Sequence, residues 1–205
     1  MNQDEIFRIA LLLIFSAILP IGVYYRLKSQ ATRERLDRRQ EGLFMLATLR
    51  PVAGAFWIGL IAWLINPSWM AWSAMPLPPG MRWAAVGVAV VGGVLFLWTF
   101  RWLGPNLTDT VVTRKTHSLV VRGPYQWIRH PFYVAVALLM LGISLTAANW
   151  FLLLTGALVL SLLVLRTRTE EDKLTDRFGD SYRVYMQTTG RFLPRLRTTP
   201  RSNRG

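Results

Sequence analysis

The chain has 205 residues, of which 52% are hydrophobic, and it carries a formal charge of +13. That length allows one domain and not two large ones, and the pairing of apolar content with positive charge fits a membrane protein with basic loops better than a soluble core. Cysteine is absent, which excludes disulfides, thiolate nucleophiles and cysteine metal sites.

The two histidines, His117 and His130, are too few for a zinc or iron centre. The basic residues lie between long apolar runs and form no stripe among aromatics, so nucleic acid is not an expected partner. The N-terminal run is preceded by Asp4 and Glu5 and followed by Tyr24, Tyr25 and Arg26. It lacks the basic start and the small-residue cleavage site of a signal peptide, and reads as a retained helix.

Apolar stretches at 6–25, 43–65 and 83–100 each approach or exceed the ~20 residues that cross a bilayer. A fourth stretch, 132–165, is too long for one crossing. Ala147, Ala148 and Asn149 near its middle break it into two short helices joined by a tight turn. The expectation is an all-α integral membrane protein with about five transmembrane helices, the last two a helical hairpin, followed by cytoplasmic C-terminal helices.

Charge supports this count. Six Lys/Arg lie in 26–42, five in 101–131 and ten from 166 onward. The intervening segments hold only Arg8 and Arg82, so basic loops alternate as the positive-inside rule requires. The N-terminus is expected outside and the C-terminus in the cytoplasm, in a bacterial inner membrane. Trp69, Trp72, Trp83 and Trp150 fall where an outer aromatic belt would lie. Arg50 and Pro51 interrupt the second span. Proline kinks a helix, and the arginine either snorkels to the boundary or pairs within the bundle.

Two polar segments flank the hairpin. The first runs from His117 to Tyr133. Gly123-Pro124 turns the chain, Pro131 suits the first helical position, and His130 stands near the N-cap. A helix N-terminus beside basic side chains favours an anion, although the same segment could face lipid headgroups. The second runs from Arg166 through Glu170 and Glu171 to Phe178. Gly179 stops the helix, and Asp180 or Ser181 caps a short one carrying Tyr182 and Tyr185. The plainer reading of this segment is an exposed helix with pairs such as Arg166–Glu170 and Arg168–Glu171. Because antiparallel neighbours pack roughly 8–10 Å apart, the hairpin must bring residue 130 beside residue 166.

The residues of these segments resemble the isoprenylcysteine carboxyl methyltransferase family, which is related to membrane phospholipid methyltransferases. One motif is carried by His117, Leu119, Val120, Gly123, Tyr125, Arg129, His130, Pro131 and Tyr133. The other is carried by Arg166, Glu171, Phe178, Gly179, Tyr182 and Tyr185. The resemblance covers about 101–195; Ala135 stands where the family usually has glycine.

It implies S-adenosylmethionine as methyl donor and a lipophilic or prenylated acceptor arriving from the bilayer among the membrane lipids. It divides the chain into an N-terminal membrane part (1–100), a cofactor-binding and catalytic part (101–195) and a basic tail (196–205). Arg166 and Glu171 are then the implied catalytic pair, although a helical wheel brings Glu170 nearer Arg166. The implied cofactor-binding residues are His117, Leu119, Val120, Gly123, Tyr125, His130, Pro131, Tyr133 and Glu170. Two other readings stay open: a membrane reductase that uses NADPH on a sterol-like or enone substrate, and a non-catalytic lipid-binding protein. Oligomeric state is not legible.

Overall fold

The computed structural model describes residues 3–30, 43–103 and 119–195. His117, most of the basic loops and the tail after 195 lie outside the described residues. Among the described residues six α-helices follow one another: α1 Gln3–Gln30, α2 Leu43–Ile65, α3 Pro79–Leu103, α4 Pro131–Thr146, α5 Trp150–Phe178 and α6 Asp180–Thr188. Among the described residues the only strand-like pairings are two isolated bridges, Ala74 with Asn149 and Ile128 with Gly190.

The chain is a multi-pass integral membrane protein. Helices α1, α2, α3 and α5 are each long and apolar enough to cross a membrane. Helix α4 is apolar too, but with 16 residues it is shorter than these four. In α5 the apolar run ends at Leu165. Arg166, Arg168, Glu170, Glu171, Asp172 and Lys173 follow, a density of charge that belongs outside the hydrocarbon.

The hairpin between α4 and α5 turns where Ala147–Asn149 place it. Ala148 adopts a positive φ of 48°, and Asn149 caps α5 by accepting from the Leu152 amide at 3.1 Å. The Asn149 side chain also donates to Ser73 Oγ at 2.7 Å and to the Met70 carbonyl at 3.3 Å. These bonds fasten the turn to the 3₁₀ segment Pro67–Ser73 that links α2 and α3. Trp69, Trp72, Trp83 and Trp150 are exposed at this end, as an interfacial girdle requires.

Arg82, counted in the sequence as a loop charge, is instead in the first turn of α3 and only 5% exposed. Its Nε donates to the Thr146 carbonyl at the end of α4 (2.9 Å), and its Nη1 pairs with Asp4 of α1 (2.8 Å). The guanidinium lies 4.0 Å from the centre of the Phe7 ring. One arginine thus joins three helix ends.

Small residues set the spacing of α3 and α4. A Cβ on Gly142 would come within 2.5 Å of the Ala89 amide nitrogen, and one on Gly92 within 2.8 Å of that of Leu139. The backbones touch, as in membrane interfaces built on small side chains. Phe56, Leu60, Trp63, Met140, Ile143 and Leu152 fill the space between α2, α4 and α5. Arg50 is exposed on α2, in keeping with the snorkelling reading.

Candidate active site

The site is assembled where α4 begins and α5 leaves its apolar run. Upstream of α4, the 3₁₀ turn Gly123–Gln126 starts at Gly123 with φ 62°. A Cβ there would fall 2.4 Å from the Trp102 ring, so glycine permits both the turn and its seat on α3. Tyr185 of α6 donates its hydroxyl to the Tyr125 carbonyl at 2.5 Å. The Arg129 amide donates to the Gly190 carbonyl (2.8 Å), and the His130 amide to that of Arg191 (3.1 Å). The chain after α6 therefore runs alongside the start of α4. Pro131 occupies the first turn, with His130 as N-cap.

Adjacent residues on a helix point about 100° apart, so Glu170 and Glu171 meet different partners. Glu170 accepts from the Tyr133 hydroxyl at 2.6 Å and pairs with Arg166 Nε at 3.3 Å. Its other oxygen is 3.7 Å from His130 Nδ1. Glu171 is buried, with 5% exposure. Its Oε1 accepts from Arg129 Nε at 2.9 Å and lies 3.2 Å from His130 Nε2. Its Oε2 accepts from Arg191.

Burial alone would raise the Glu171 carboxyl, but the hydrogen bonds from His130, Arg191 and Arg129 outweigh it and hold the group at about 2. His130 stands between the two carboxylates with its ring parallel to that of Tyr133, the centroids 5.5 Å apart.

The structure thus brings together His130, Tyr133, Arg166, Glu170 and Glu171. Tyr125 is near them, and burial first, then Tyr185 and Glu170, push its phenol up, so it stays protonated. Gly123 and Pro131 shape the backbone. Leu119 and Val120 are half-buried in the approach to the turn. Tyr182 and Tyr185 are buried packing residues; α6 is capped by Gly179 and has no side-chain cap.

Arg166 pairs with Glu170, one helical turn away, where the helical wheel places it. One expectation changes: Glu171 is not a surface charge paired with Arg168 but is buried, and its partners come from 129, 130 and 191. Arg129 and Arg191 were not among the candidates, although each lies in a segment that the sequence marks: the residue before the N-cap, and the run Arg191–Pro194.

The sequence model of the isoprenylcysteine carboxyl methyltransferase (ICMT) family matches residues 85–176. Over that segment the chain is similar to this family. It is 32% identical over 114 residues to the protein-S-isoprenylcysteine O-methyltransferase of Schizosaccharomyces pombe, covering 54% of this chain and 48% of that protein. It is 29% identical over 138 residues to the cobalt-zinc-cadmium resistance protein CzcN of Cupriavidus metallidurans, covering 56% of this chain and 62% of the relative. The solved structure of the eukaryotic intramembrane Ras methyltransferase ICMT superposes with a TM-score of 0.54 at 20% identity, covering 88% of this chain and 66% of that one. The fold is shared with that enzyme; the chain spans about half to two thirds of the length of these relatives. Arg129, His130, Tyr133, Arg166 and both glutamates fall inside the family segment, whereas Arg191 falls beyond it.

Proposed function

We propose that the chain is an S-adenosylmethionine-dependent methyltransferase acting on a lipophilic, prenylated acceptor at the cytoplasmic face of the membrane. The observation that carries this is the meeting of the α4 N-terminus with Arg166, Glu170 and Glu171, at the point where an apolar hairpin ends. The alternating basic loops support the cytoplasmic placement of that end.

The donor set fits the cofactor. Three guanidiniums, of Arg129, Arg166 and Arg191, face two carboxylates, which leaves positive charge to meet a carboxylate near a helix start. Tyr125, and His117 outside the described residues, assist His130 there. The Glu170 side chain, 19% exposed against 6% for that of Glu171, is the freer acceptor for hydroxyl or ammonium groups.

S-adenosylmethionine, when bound, supplies an electrophilic methyl group on a sulfonium. The chain's part is to orient the acceptor and exclude water. Arg166 holds an acceptor carboxylate through its planar fork, Tyr133 and His130 set the position of Glu170, and the buried Glu171 cluster keeps the floor of the site rigid.

Calorimetric titration of the detergent-purified protein with S-adenosylmethionine, its demethylated product and NADPH tests the reading, together with radiolabel transfer to a farnesylated cysteine. Saturable binding of the first two and label transfer that Arg166→Ala abolishes are expected. Binding of NADPH alone would overturn the proposal in favour of a reductase, and binding of none in favour of a non-catalytic protein.

A further inference from the structure

We infer that Arg191, carried on the segment that follows α6, is a positioning residue that sets the plane of the Glu171 carboxylate for methyl transfer. The inference rests on the function proposed above and concerns a residue outside the family segment.

The two oxygens of Glu171 are held from opposite sides. Oε1 takes Arg129 and His130, both at the start of α4, while Oε2 takes Arg191. The terminal torsion of a glutamate is broad, so donors on one oxygen leave the carboxylate free to swing about its last bond. A donor on the second oxygen removes that freedom.

Arg191 is itself delivered by backbone. Besides the two amide bonds from Arg129 and His130, Arg129 Nη1 donates to the Met186 carbonyl at 3.1 Å and to that of Thr189. Gly190 then folds the chain back so tightly that a Cβ would lie 1.8 Å from the Leu193 carbonyl oxygen. Phe192 follows, its ring centre 5.7 Å from that of His130. This fold-back turns the Arg191 guanidinium toward α5.

The Arg191 side chain is 38% exposed and borders a cavity of about 510 Å³ shared with Arg129, Thr189, Leu193 and Arg195. It sits at the edge of the bundle, so removing it opens no core. The groups facing Glu171 are Arg129 and His130 from the α4 start, Arg191 from the segment after α6, Tyr182 from α6 and Glu170 from its own helix. Without Arg191, a buried carboxylate loses one of its three side-chain partners and one of its two guanidiniums, and its protonation moves up in pH.

The test compares wild type, Arg191→Ala and Arg191→Lys. Expected for Arg191→Ala is a fall in kcat of about tenfold or more with the KM for S-adenosylmethionine within about threefold. The acid limb of the kcat profile should move up. Arg191→Lys, which keeps the charge and loses the fork, should return the acid limb and only part of kcat. Unchanged kcat in Arg191→Ala overturns the inference, as does a loss of kcat with an unmoved acid limb. A separate arm needs no turnover: the infrared carboxylate band, assigned by its loss in Glu171→Gln, should protonate at higher pH in Arg191→Ala than in wild type. If wild type transfers no methyl group, the proposed function fails, while this arm still decides whether Arg191 holds Glu171; coincident titrations would overturn that.

Discussion

The two ends of the bundle bury polar groups for different ends. At the tryptophan end, Arg82 and Asn149 are matched to Asp4, Ser73 and backbone carbonyls, fastening α1, the 3₁₀ segment, α4 and α5. At the other end, five charged side chains and a histidine share a few ångströms, with guanidiniums in excess of carboxylates. Matched groups lock helices together, because a lost partner leaves a desolvated donor. Three paired guanidiniums that share two carboxylates leave a net positive charge, which the proposed function assigns to an anionic group of the ligand. Buried polarity by itself therefore does not mark a site; its balance does.

Three substitutions probe this contrast. Glu171→Ala should have the largest effect, abolishing methyl transfer and destabilising the fold by about 3–5 kcal/mol, the usual result of stranding buried partners of an ion pair. Label transfer and thermal melting in detergent would measure both, and a variant as active and stable as wild type would remove the site end from the comparison. Arg82→Ala should cost about 2–3 kcal/mol in the same melt, less than a fully buried pair because Asp4 is partly exposed. Its kcat at a temperature where it is folded should stay at the wild-type value; a lowered kcat would mean that the two ends are coupled. Tyr133→Phe should be smallest, weakening transfer by about 0.5–1.5 kcal/mol through the lost hydrogen bond to Glu170, as read from kcat/KM.

Much of this architecture is legible in the sequence, because membrane spans announce themselves by length and loop charge. The break at Ala147–Asn149 marks the hairpin turn, and the hairpin alone implies that His130 and Arg166 are neighbours. A helical wheel finds the Arg166–Glu170 pair. Arg82 misleads, since a basic residue between spans looks like a loop charge until three helix ends are seen to converge on it. The partners of Glu171 are illegible for a related reason. Arg129 and Arg191 reach it from segments 42 and 20 residues away, through backbone pairing that leaves no periodic signal. The shortness of α4, by contrast, follows from the break at Ala147–Asn149, which divides the apolar run 132–165 into two short helices.

That shortness has a consequence for depth. Sixteen residues rise about 24 Å, against a hydrocarbon core of about 30 Å. With the tryptophan girdle holding the far end at one interface, the start of α4 falls several ångströms below the opposite headgroup plane, or the bilayer thins to meet it. Because the charges at 166–173 belong outside the hydrocarbon, the second of these is favoured, and the site sits at a locally thinned boundary. Under the proposed function, a lipophilic acceptor reaches that boundary by lateral diffusion, without lifting its hydrocarbon tail into water.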